Sequence, residues 1–341
     1  MSKHRILPYY FPTTTVMVDD SQRFLQSFTL YLPEDAAFHC FTSASDALAH
    51  INQQAGKPHL EQRCFSWFRN SEASDSGIFS LDLSLIEQEI NDPLRFGTVS
   101  VLVVDYDMPE MNGLELCRQI RDPHIKKVLL TGVADERIAV QAFNDGLIDR
   151  FLMKSDPNIA EKINRAIHDC QRLYFQQISA MLQNTLALKS PEFLYNQAFA
   201  EYFFALQLQH GFVEYYYVES PSGFILLDEH GTLARLLVFS EADLQRSLFA
   251  LRRHQPPASM MQALSSGQAV PWLWATPDEQ HDDEPFDWQD HLFPASRVLD
   301  GSNTWLCALA ENPPADIEFD PSKASYSAYL DRLDSRPPCR Q

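Results

Sequence analysis

This chain of 341 residues lacks the features of membrane proteins and of disulfide-stabilised secreted proteins. No stretch approaches the ~20 consecutive apolar residues that a membrane-spanning helix needs. The six cysteines are scattered and include no Cys-x-x-Cys pair, which argues against a disulfide or zinc framework. The first residues also lack the apolar core of a signal peptide. We therefore expect a cytoplasmic protein with reduced thiols and no association with a membrane.

Basic residues are also in short supply. The chain carries 27 Lys and Arg against 46 Asp and Glu, a formal net charge of −19. From Gln171 to Gln341 there are 11 Lys and Arg against 22 Asp and Glu, a balance of −11. DNA-binding domains usually present a basic face, because neutralising phosphates provides much of their affinity. We therefore do not expect nucleic acid as a partner.

Among the features that are present, apolar runs that end in acidic residues are the most informative. The run from Val99 to Val104 ends at Asp105, and an uninterrupted run of this kind is typical of a strand buried on both faces of a parallel sheet. A second run, from Thr14 to Val18, ends at Asp19 and Asp20. Ligands bind outside the carboxyl ends of the strands in such sheets. The three carboxylates are therefore expected to converge there.

Three carboxylates held together repel one another unless a cation lies among them. Repulsion between Asp19, Asp20 and Asp105 would raise the pKa of at least one of these groups. Hard oxygen ligands, together with water, select Mg²⁺ or Mn²⁺. The sequence therefore predicts a site for Mg²⁺ or Mn²⁺.

Two further apolar runs end in residues that can neutralise a phosphoryl group. The first ends at Thr131, 26 positions after Asp105 (131 − 105), and the second ends at Lys154, 23 positions after Thr131 (154 − 131). Each interval has room for one helix and its loops, which is the spacing of a βαβ unit. A phosphoryl group on Asp105 would need both the hydroxyl of Thr131 and the charge of Lys154.

The ordered pattern Asp-Asp, Asp-x-x-Met-Pro-x-Met-x-Gly, Thr-Gly and Lys resembles the receiver domain of two-component response regulators. The resemblance implies that Asp105 accepts a phosphoryl group from a histidine kinase or a histidine phosphotransfer protein. It also implies that Asp20, Asp105 and the backbone carbonyl of Asp107 hold the metal, while Asp19 contributes through water. Taken singly, an Asp at a strand end is more often a helix cap, so the whole ordered set carries the interpretation.

The same resemblance assigns a switch to the domain. Thr131 would move toward the phosphoryl oxygens, and Phe151 would take the place of the aromatic side chain that turns inward in the active state. Phosphorylation adds nearly two negative charges, which is enough to bias a loop between two arrangements. One departure is that Ser155 follows Lys154 where receivers typically have a cis proline, so a trans bond is expected there.

The length of the chain suggests two domains. We expect a doubly wound, five-stranded parallel receiver of flavodoxin-like topology over residues 1–156. An insertion over residues 54–97 is too long for a crossover loop, and its aromatic side chains would cover the receiver or meet a partner. Residues 157–189 would form an extended connecting helix whose apolar stripe suits either a homodimer seam or burial against its own domains. Residues 190–341 indicate an α+β output domain with an antiparallel sheet.

The output region carries no motif that identifies its activity. It has no GGDEF-like, EAL-like or HD-GYP run, no P-loop and no evident helix-turn-helix. The leading hypothesis is a phosphorylation-controlled domain that binds another, unidentified protein. On this hypothesis the only catalysis is the receiver's own phosphoryl transfer and autodephosphorylation. The alternatives are a receiver-controlled enzyme that acts on a nucleotide or a protein, and, less favoured, a DNA-binding transcription regulator.

Overall fold

The computed structural model describes residues 5–33, 35–53, 56, 58–69, 77–132, 135–189, 191–273, 287–301, 303–311, 313 and 319–335. The chain forms two compact units. The first, termed the parallel-sheet unit, comprises the described parts of residues 11–63, 92–181 and 322–341. The second, the antiparallel-sheet unit, comprises the described parts of residues 1–10, 64–91 and 182–321. Among the described residues, no helix combines the length and the apolar character needed to cross a bilayer.

Helices and strands follow one another along the chain in two groups. The first group is β1 (Tyr9–Tyr10), β2 (Thr14–Val18), α1 (Gln22–Thr29), β3 (Phe38–Phe41), α2 (Ala44–Asn52), α3 (Leu60–Cys64), β4 (Phe65–Arg69), β5 (Gly77–Leu81), α4 (Ser84–Gln88), β6 (Val99–Asp105), α5 (Gly113–Gln119), β7 (Lys126–Thr131), α6 (Glu136–Asn144) and β8 (Arg150–Met153). The second group is α7 (Ile159–Ile178), α8 (Ala180–Lys189), α9 (Gln197–His210), β9 (Phe212–Val218), β10 (Gly223–Asp228), β11 (Leu233–Ser240), α10 (Glu241–Leu251), α11 (Ala258–Ser265), β12 (Ala269–Pro271), β13 (Leu292–Pro294), β14 (Ser296–Asp300), β15 (Asn303–Glu311), α12 (Pro321–Ala324) and α13 (Tyr326–Asp334).

The parallel-sheet unit contains a five-stranded sheet with the order β3-β2-β6-β7-β8. Every neighbouring pair of strands in this sheet is parallel. This is the doubly wound, flavodoxin-like order, in which the chain crosses over the sheet in both directions from its first strand. The predicted fold class is therefore confirmed, and β6 ends at Asp105 as expected.

Strand β6 shows why these apolar runs become central strands. All seven of its residues are buried. Successive side chains of a strand point to opposite faces, so β6 must meet an apolar layer on each side. Leu102 and Val104 pack in a core with residues of α2, α5 and α6. Val101 and Val103 pack in a second core with residues of α1 and α7.

The connecting helix expected over residues 157–189 is interrupted. Helix α7 ends at Ile178 and α8 begins at Ala180, and Ser179 between them has φ −109° and ψ 13°. The buried hydroxyl of Ser179 donates to the carbonyl of Phe175 at 2.6 Å. A serine that bonds the carbonyl four residues earlier competes with the helical backbone and often bends a helix. The expectation of one continuous helix was therefore wrong.

The antiparallel-sheet unit is built on a six-stranded sheet with the order β1-β9-β10-β11-β15-β14. All its neighbouring pairs of strands are antiparallel, which confirms the α+β organisation expected for the output region. Helix α10 begins at Glu241, where Ser240 and Asp243 form a capping box.

The two units do not divide the chain at the expected boundaries. Strand β1 joins the antiparallel sheet through β9, with the ring centroids of Tyr10 and Tyr215 5.9 Å apart. Residues 64–91 of the insertion belong to the same antiparallel-sheet unit, and Ile86 is fully buried there. Neither segment has a local pattern that reveals a partner so distant in sequence.

The C-terminal helix α13 belongs to the parallel-sheet unit, although the sequence assigned it to the output domain. The hydroxyls of Tyr329 and Thr14 are 2.7 Å apart. Tyr326 donates to the carbonyl of Asp35 at 2.5 Å, and its ring lies 5.1 Å from that of Phe96. The two hydrogen bonds join residues 315 and 291 positions apart, a distance that no periodicity can predict.

We predict that Gly113→Ala destabilises the parallel-sheet unit. An added Cβ would lie 2.3 Å from the carbonyl oxygen of Asp105, a backbone atom that cannot move without displacing the end of β6. The expected loss is roughly 1–3 kcal/mol, the usual cost of overpacking, measured by urea unfolding. Gly97→Ala is the matched control, because its Cβ would find Tyr329 no closer than 3.7 Å. Equal losses in the two variants would contradict the role of this close approach.

Candidate functional site

The structure brings the three predicted carboxylates together at the carboxyl edge of the parallel sheet. Asp105 is the last residue of β6, and Asp19 and Asp20 follow β2, which pairs with β6. Asp19 and Asp105 are buried, whereas Asp20 is exposed. One carboxylate oxygen from each residue lies within 4.8 Å of the other two. Convergence therefore follows from two adjacent parallel strands that end in acids.

Lys154 joins two of these carboxylates. It follows β8 directly, and its Nζ lies 2.6 Å from Asp19 Oδ2 and 2.8 Å from Asp105 Oδ2. The ammonium also lies 4.8 Å from the centre of the Phe24 ring, a contact that the sequence did not reveal. The bond from Lys154 to Ser155 is trans, as expected without a proline. Lys154 therefore acts as a positive bridge between the ends of β2 and β6.

The electrostatics of the site follow from burial and from this bridge. Burial raises the pKa of Asp105, and the charges of Asp19 and Asp20 raise it further, while the hydrogen bond from Lys154 opposes them. Burial by itself would lower the pKa of Lys154, but its hydrogen bonds to Asp105 and Asp19 outweigh burial and the pKa is raised. Three ionised carboxylates and one ammonium leave two negative charges. Oxygen donors with this charge balance fit a hard divalent cation.

Thr131 lies at the end of the neighbouring strand β7. It is fully buried and pairs in register with Met153, the residue before Lys154. Its hydroxyl donates to the carbonyl of Leu152 in a long, 3.5 Å hydrogen bond. The backbone N–H of Lys154 donates to the carbonyl of Thr131 at 3.0 Å. Thr131 and Lys154 are therefore held on adjoining strand ends, as the spacing predicted.

The two remaining predicted residues lie at the margin of the site. Phe151 in β8 is half-buried, and its ring centroid is 6.4 Å from that of Phe143 on α6, which is 48% exposed. Asp107 lies in the loop after β6 and its side chain is exposed. If Asp107 acts through its backbone carbonyl, its exposed carboxylate is not required at the site.

Local hydrogen bonds hold the loop that follows Asp105. The N–H of Tyr106 donates to the carbonyl of Leu130 at 2.9 Å, which ties the loop to β7. At the other end, Asn112 and Glu115 form a capping box at the start of α5. Glu110 adopts a φ of 70°, which is uncommon for a residue other than glycine. The loop is therefore fixed at both ends.

A second concave region lies in the antiparallel-sheet unit. It is a cavity of about 360 Å³ whose lining includes Glu192, Phe193, Tyr217, Glu219, Asp243 and Trp305. Burial raises the pKa of Tyr217 to about 12, so its hydroxyl stays protonated at neutral pH. None of the described lining residues is Lys, Arg or His. The described lining of the cavity therefore offers negative charge and aromatic rings.

Acids converging at the ends of β2 and β6, with a lysine from the end of β8 between them, define a receiver domain. Comparison with known proteins agrees. Residues 82–164 match the response regulator receiver domain. The chain is 36% identical to the Legionella pneumophila response regulator LqsR, and the two structures align with a TM-score of 0.77 over 97% of each chain. The chain belongs to the response regulators of two-component systems.

A second relative matches a smaller part of the chain. The transcriptional regulatory protein FixJ of Rhizobium meliloti (strain 1021) is 41% identical over 70 residues. This match covers 19% of the chain and 34% of FixJ, so the chain spans about a third of that relative's length. The likeness therefore concerns a domain, and it carries no information about the rest of either protein.

We predict that Lys154→Met lowers the free energy of unfolding by roughly 1–3 kcal/mol at about pH 7, because two buried carboxylates lose their shared cation. The raised pKa of Lys154 means that its stabilising contribution is complete below about 10.5 and is lost as the pH rises through the folded-state value. The deficit of the variant should shrink at about pH 4. Asp105, whose pKa is raised, protonates early as the pH falls and no longer needs a cation.

Urea unfolding of both proteins at the two pH values measures this effect. Lys162→Met is the control, because Lys162 is itself exposed and its ion-pair partner, the half-buried Asp156, is not one of the three carboxylates of the cluster. The control should change stability little at either pH. A deficit for Lys154→Met that stays the same or grows toward low pH would contradict the electrostatic account.

Proposed function

We propose that this response regulator is a phosphorylation-controlled switch in which Asp105 accepts the phosphoryl group. The observation that carries the proposal is the contact of 2.8 Å between Lys154 Nζ and Asp105 Oδ2, at the ligand-binding edge of a doubly wound sheet. The donor would be a histidine kinase or a histidine phosphotransfer protein. The chain would act in the cytoplasm, where such donors present their phosphohistidine.

The transfer requires a nucleophile and a means of neutralising charge. A carboxylate oxygen of Asp105 would attack phosphorus, forming an O–P bond while the N–P bond to the donor histidine breaks. The departing imidazole would keep the electron pair of the broken bond. Lys154, which already contacts Asp105, would pair with a phosphoryl oxygen, and the Thr131 hydroxyl would exchange its long bond to Leu152 for another oxygen. Attack by water on phosphorus would later break the new O–P bond, releasing inorganic phosphate and restoring the carboxylate.

The acidic cluster suits a metal cofactor. Asp19, Asp20, Asp105 and the backbone carbonyl of Asp107 would hold Mg²⁺ or Mn²⁺, with the Asp19 contribution made through water. Asp19 is already bound by Lys154 at 2.6 Å, which agrees with an indirect role for its carboxylate. When bound, the metal would neutralise charge on the phosphoryl oxygens.

The switch would act through the face formed by α6 and β8. Phe151 is half-buried at this face, and Ile138, Val140, Phe143 and Met153 are exposed there. A phosphoryl group that drew Thr131 toward Asp105 would leave space into which Phe151 could turn. The apolar surface beside it would change shape, and a protein partner would detect that change.

The antiparallel-sheet unit favours protein recognition over the two alternatives. A nucleotide-directed enzyme would need groups that pair with phosphates, and the described lining of its cavity is acidic and aromatic. A DNA-binding output would need a basic face, and the segment from Gln171 onward has a balance of −11. FixJ is called a transcriptional regulatory protein, but the match to it is too short to extend that activity to this chain.

We predict that Asp105→Asn abolishes labelling of the full chain by radioactive acetyl phosphate with Mg²⁺, and that the wild-type label is acid-stable and base-labile. The amide is nearly isosteric with the carboxylate but is not a nucleophile toward phosphorus. Asp107→Asn is the matched control, because its carboxylate is exposed and its proposed ligand is a backbone carbonyl. This control should keep most of the labelling.

Circular dichroism of each variant would establish that it is folded. Label of the same stability on folded Asp105→Asn would exclude Asp105 as the acceptor. Loss of labelling in Asp107→Asn would instead assign a role to the Asp107 side chain. Addition of a chelator should abolish wild-type labelling if the reaction depends on the divalent cation.

A further inference from the structure

A second cluster of potential metal ligands lies at the opposite edge of the parallel sheet. Asp122 and His124 lie in the loop between α5 and β7, just before β7 begins at Lys126. His59 immediately precedes α3. The three side chains offer one ligand atom each within 4.8 Å of one another. This amino edge is separate from the carboxyl edge, where Asp105 and Lys154 lie.

Close contacts hold the three side chains of the cluster in place. His59 Nε2 lies 3.6 Å from Asp122 Oδ2, and each of these side chains is 19% exposed. The other oxygen of Asp122 accepts the backbone N–H of His124 at 2.9 Å, which sets the orientation of the carboxylate. The rings of His59 and His124 are 5.1 Å apart between centroids and nearly perpendicular, at 86°.

Two observations set this cluster apart from an ordinary group of polar side chains. The Nδ1 atom of His124 is buried and has no hydrogen-bond partner among the described residues. Buried polar atoms in native proteins nearly always have a hydrogen-bond partner, so the lack of one at His124 Nδ1 requires an explanation. The hydroxyl of Tyr174, itself 1% exposed, lies 3.4 Å from His59 Nδ1. Such a second contact holds a metal-binding histidine in one tautomer and one orientation.

We propose that His59, Asp122 and His124 bind one Zn²⁺ ion or a similar borderline divalent metal, with the fourth coordination position open to water. Bonds of ~2.0–2.1 Å in a tetrahedron place ligand atoms ~3.3 Å apart, close to the 3.6 Å between His59 and Asp122. All three residues are partly exposed, which leaves access for a water molecule.

The donor atoms distinguish this site from the acidic cluster. Two imidazoles and a carboxylate favour Zn²⁺, Co²⁺, Ni²⁺ or Cu²⁺ over Mg²⁺. The cluster of Asp19, Asp20 and Asp105 offers oxygen alone, which suits Mg²⁺. Both sites can therefore be filled at once by different metals, and millimolar Mg²⁺ should not displace Zn²⁺ from the histidines.

The proposed metal gives the start of the insertion a function. His59 belongs to the inserted stretch, whereas Asp122 and His124 belong to a loop of the sheet itself. A bound metal would join the two by coordinate bonds, and Tyr174 would tie the site to α7. Metal binding and folding are linked wherever ligands come from separate segments, so the ion would stabilise this edge of the unit.

The test is a Co²⁺ titration of the full chain in millimolar Mg²⁺, followed by visible absorption. Wild type should bind one equivalent with the intense visible bands of four-coordinate Co²⁺, and Zn²⁺ should bleach them. His124→Gln should lose these bands. His168→Gln is the matched control, because His168 is 73% exposed on α7 and lies outside the cluster. Asp105→Asn should also keep them. Tyr174→Phe should weaken binding on the order of 10-fold or more.

A variant that gains an absorption band distinguishes the loss of a metal ligand from misfolding, because a misfolded protein would gain no band. His124→Cys should bring a thiolate to the metal and add a near-ultraviolet sulfur-to-Co²⁺ charge-transfer band, whereas His168→Cys should not. Wild type that binds no Co²⁺ or Zn²⁺ under these conditions would overturn the proposal and leave a hydrogen-bonded cluster only. Unchanged visible bands in His124→Gln would overturn it equally, since the metal would then be bound elsewhere.

Discussion

The ammonium of Lys154 is the constraint around which the parallel-sheet unit is organised at its carboxyl edge. It lies within 2.8 Å of two buried carboxylates, Asp19 and Asp105, which belong to the ends of different strands. Without this charge the strand ends would repel each other in a setting where burial already raises the pKa of Asp105. The same charge that permits the resting arrangement is the one that a phosphoryl group would require. The stability of this edge and the proposed phosphoryl transfer would therefore depend on one side chain.

Backbone geometry is the second requirement. The first residue of α5 must approach the carbonyl of Asp105 so closely that a Cβ has no room, which explains Gly113 at that position. Asn112 caps the same helix, and the loop between strand and helix is thereby held short and fixed. The carboxylate of Asp105 is therefore carried on a short loop that hydrogen bonds hold at both ends.

The two edges of the sheet carry different donor sets. At the carboxyl edge the potential ligands are oxygens, and at the amino edge two imidazoles, from His59 and His124, join the carboxylate of Asp122. Because hard and borderline cations prefer different donors, the two proposed sites would select different metals. The amino-edge cluster uses a residue of the insertion, so it is a feature of this chain and not a necessity of the fold.

The order of the amino acids is enough to identify the strands of the parallel sheet and the residues that end them. A strand buried on both faces must be apolar throughout, so β2 and β6 could be recognised locally, and adjacent parallel strands bring their last residues together. Other features of the protein arise only when distant segments meet in the folded chain. Contacts between distant segments place residues 64–91 in the antiparallel-sheet unit and α13 in the parallel-sheet unit. Such contacts also bring His59 next to His124. The break at Ser179 separates α7 from α8, which the apolar stripe of the sequence did not reveal. Periodicity and capping patterns reflect the local environment of a residue, but they carry no information about which remote segment will pack against it.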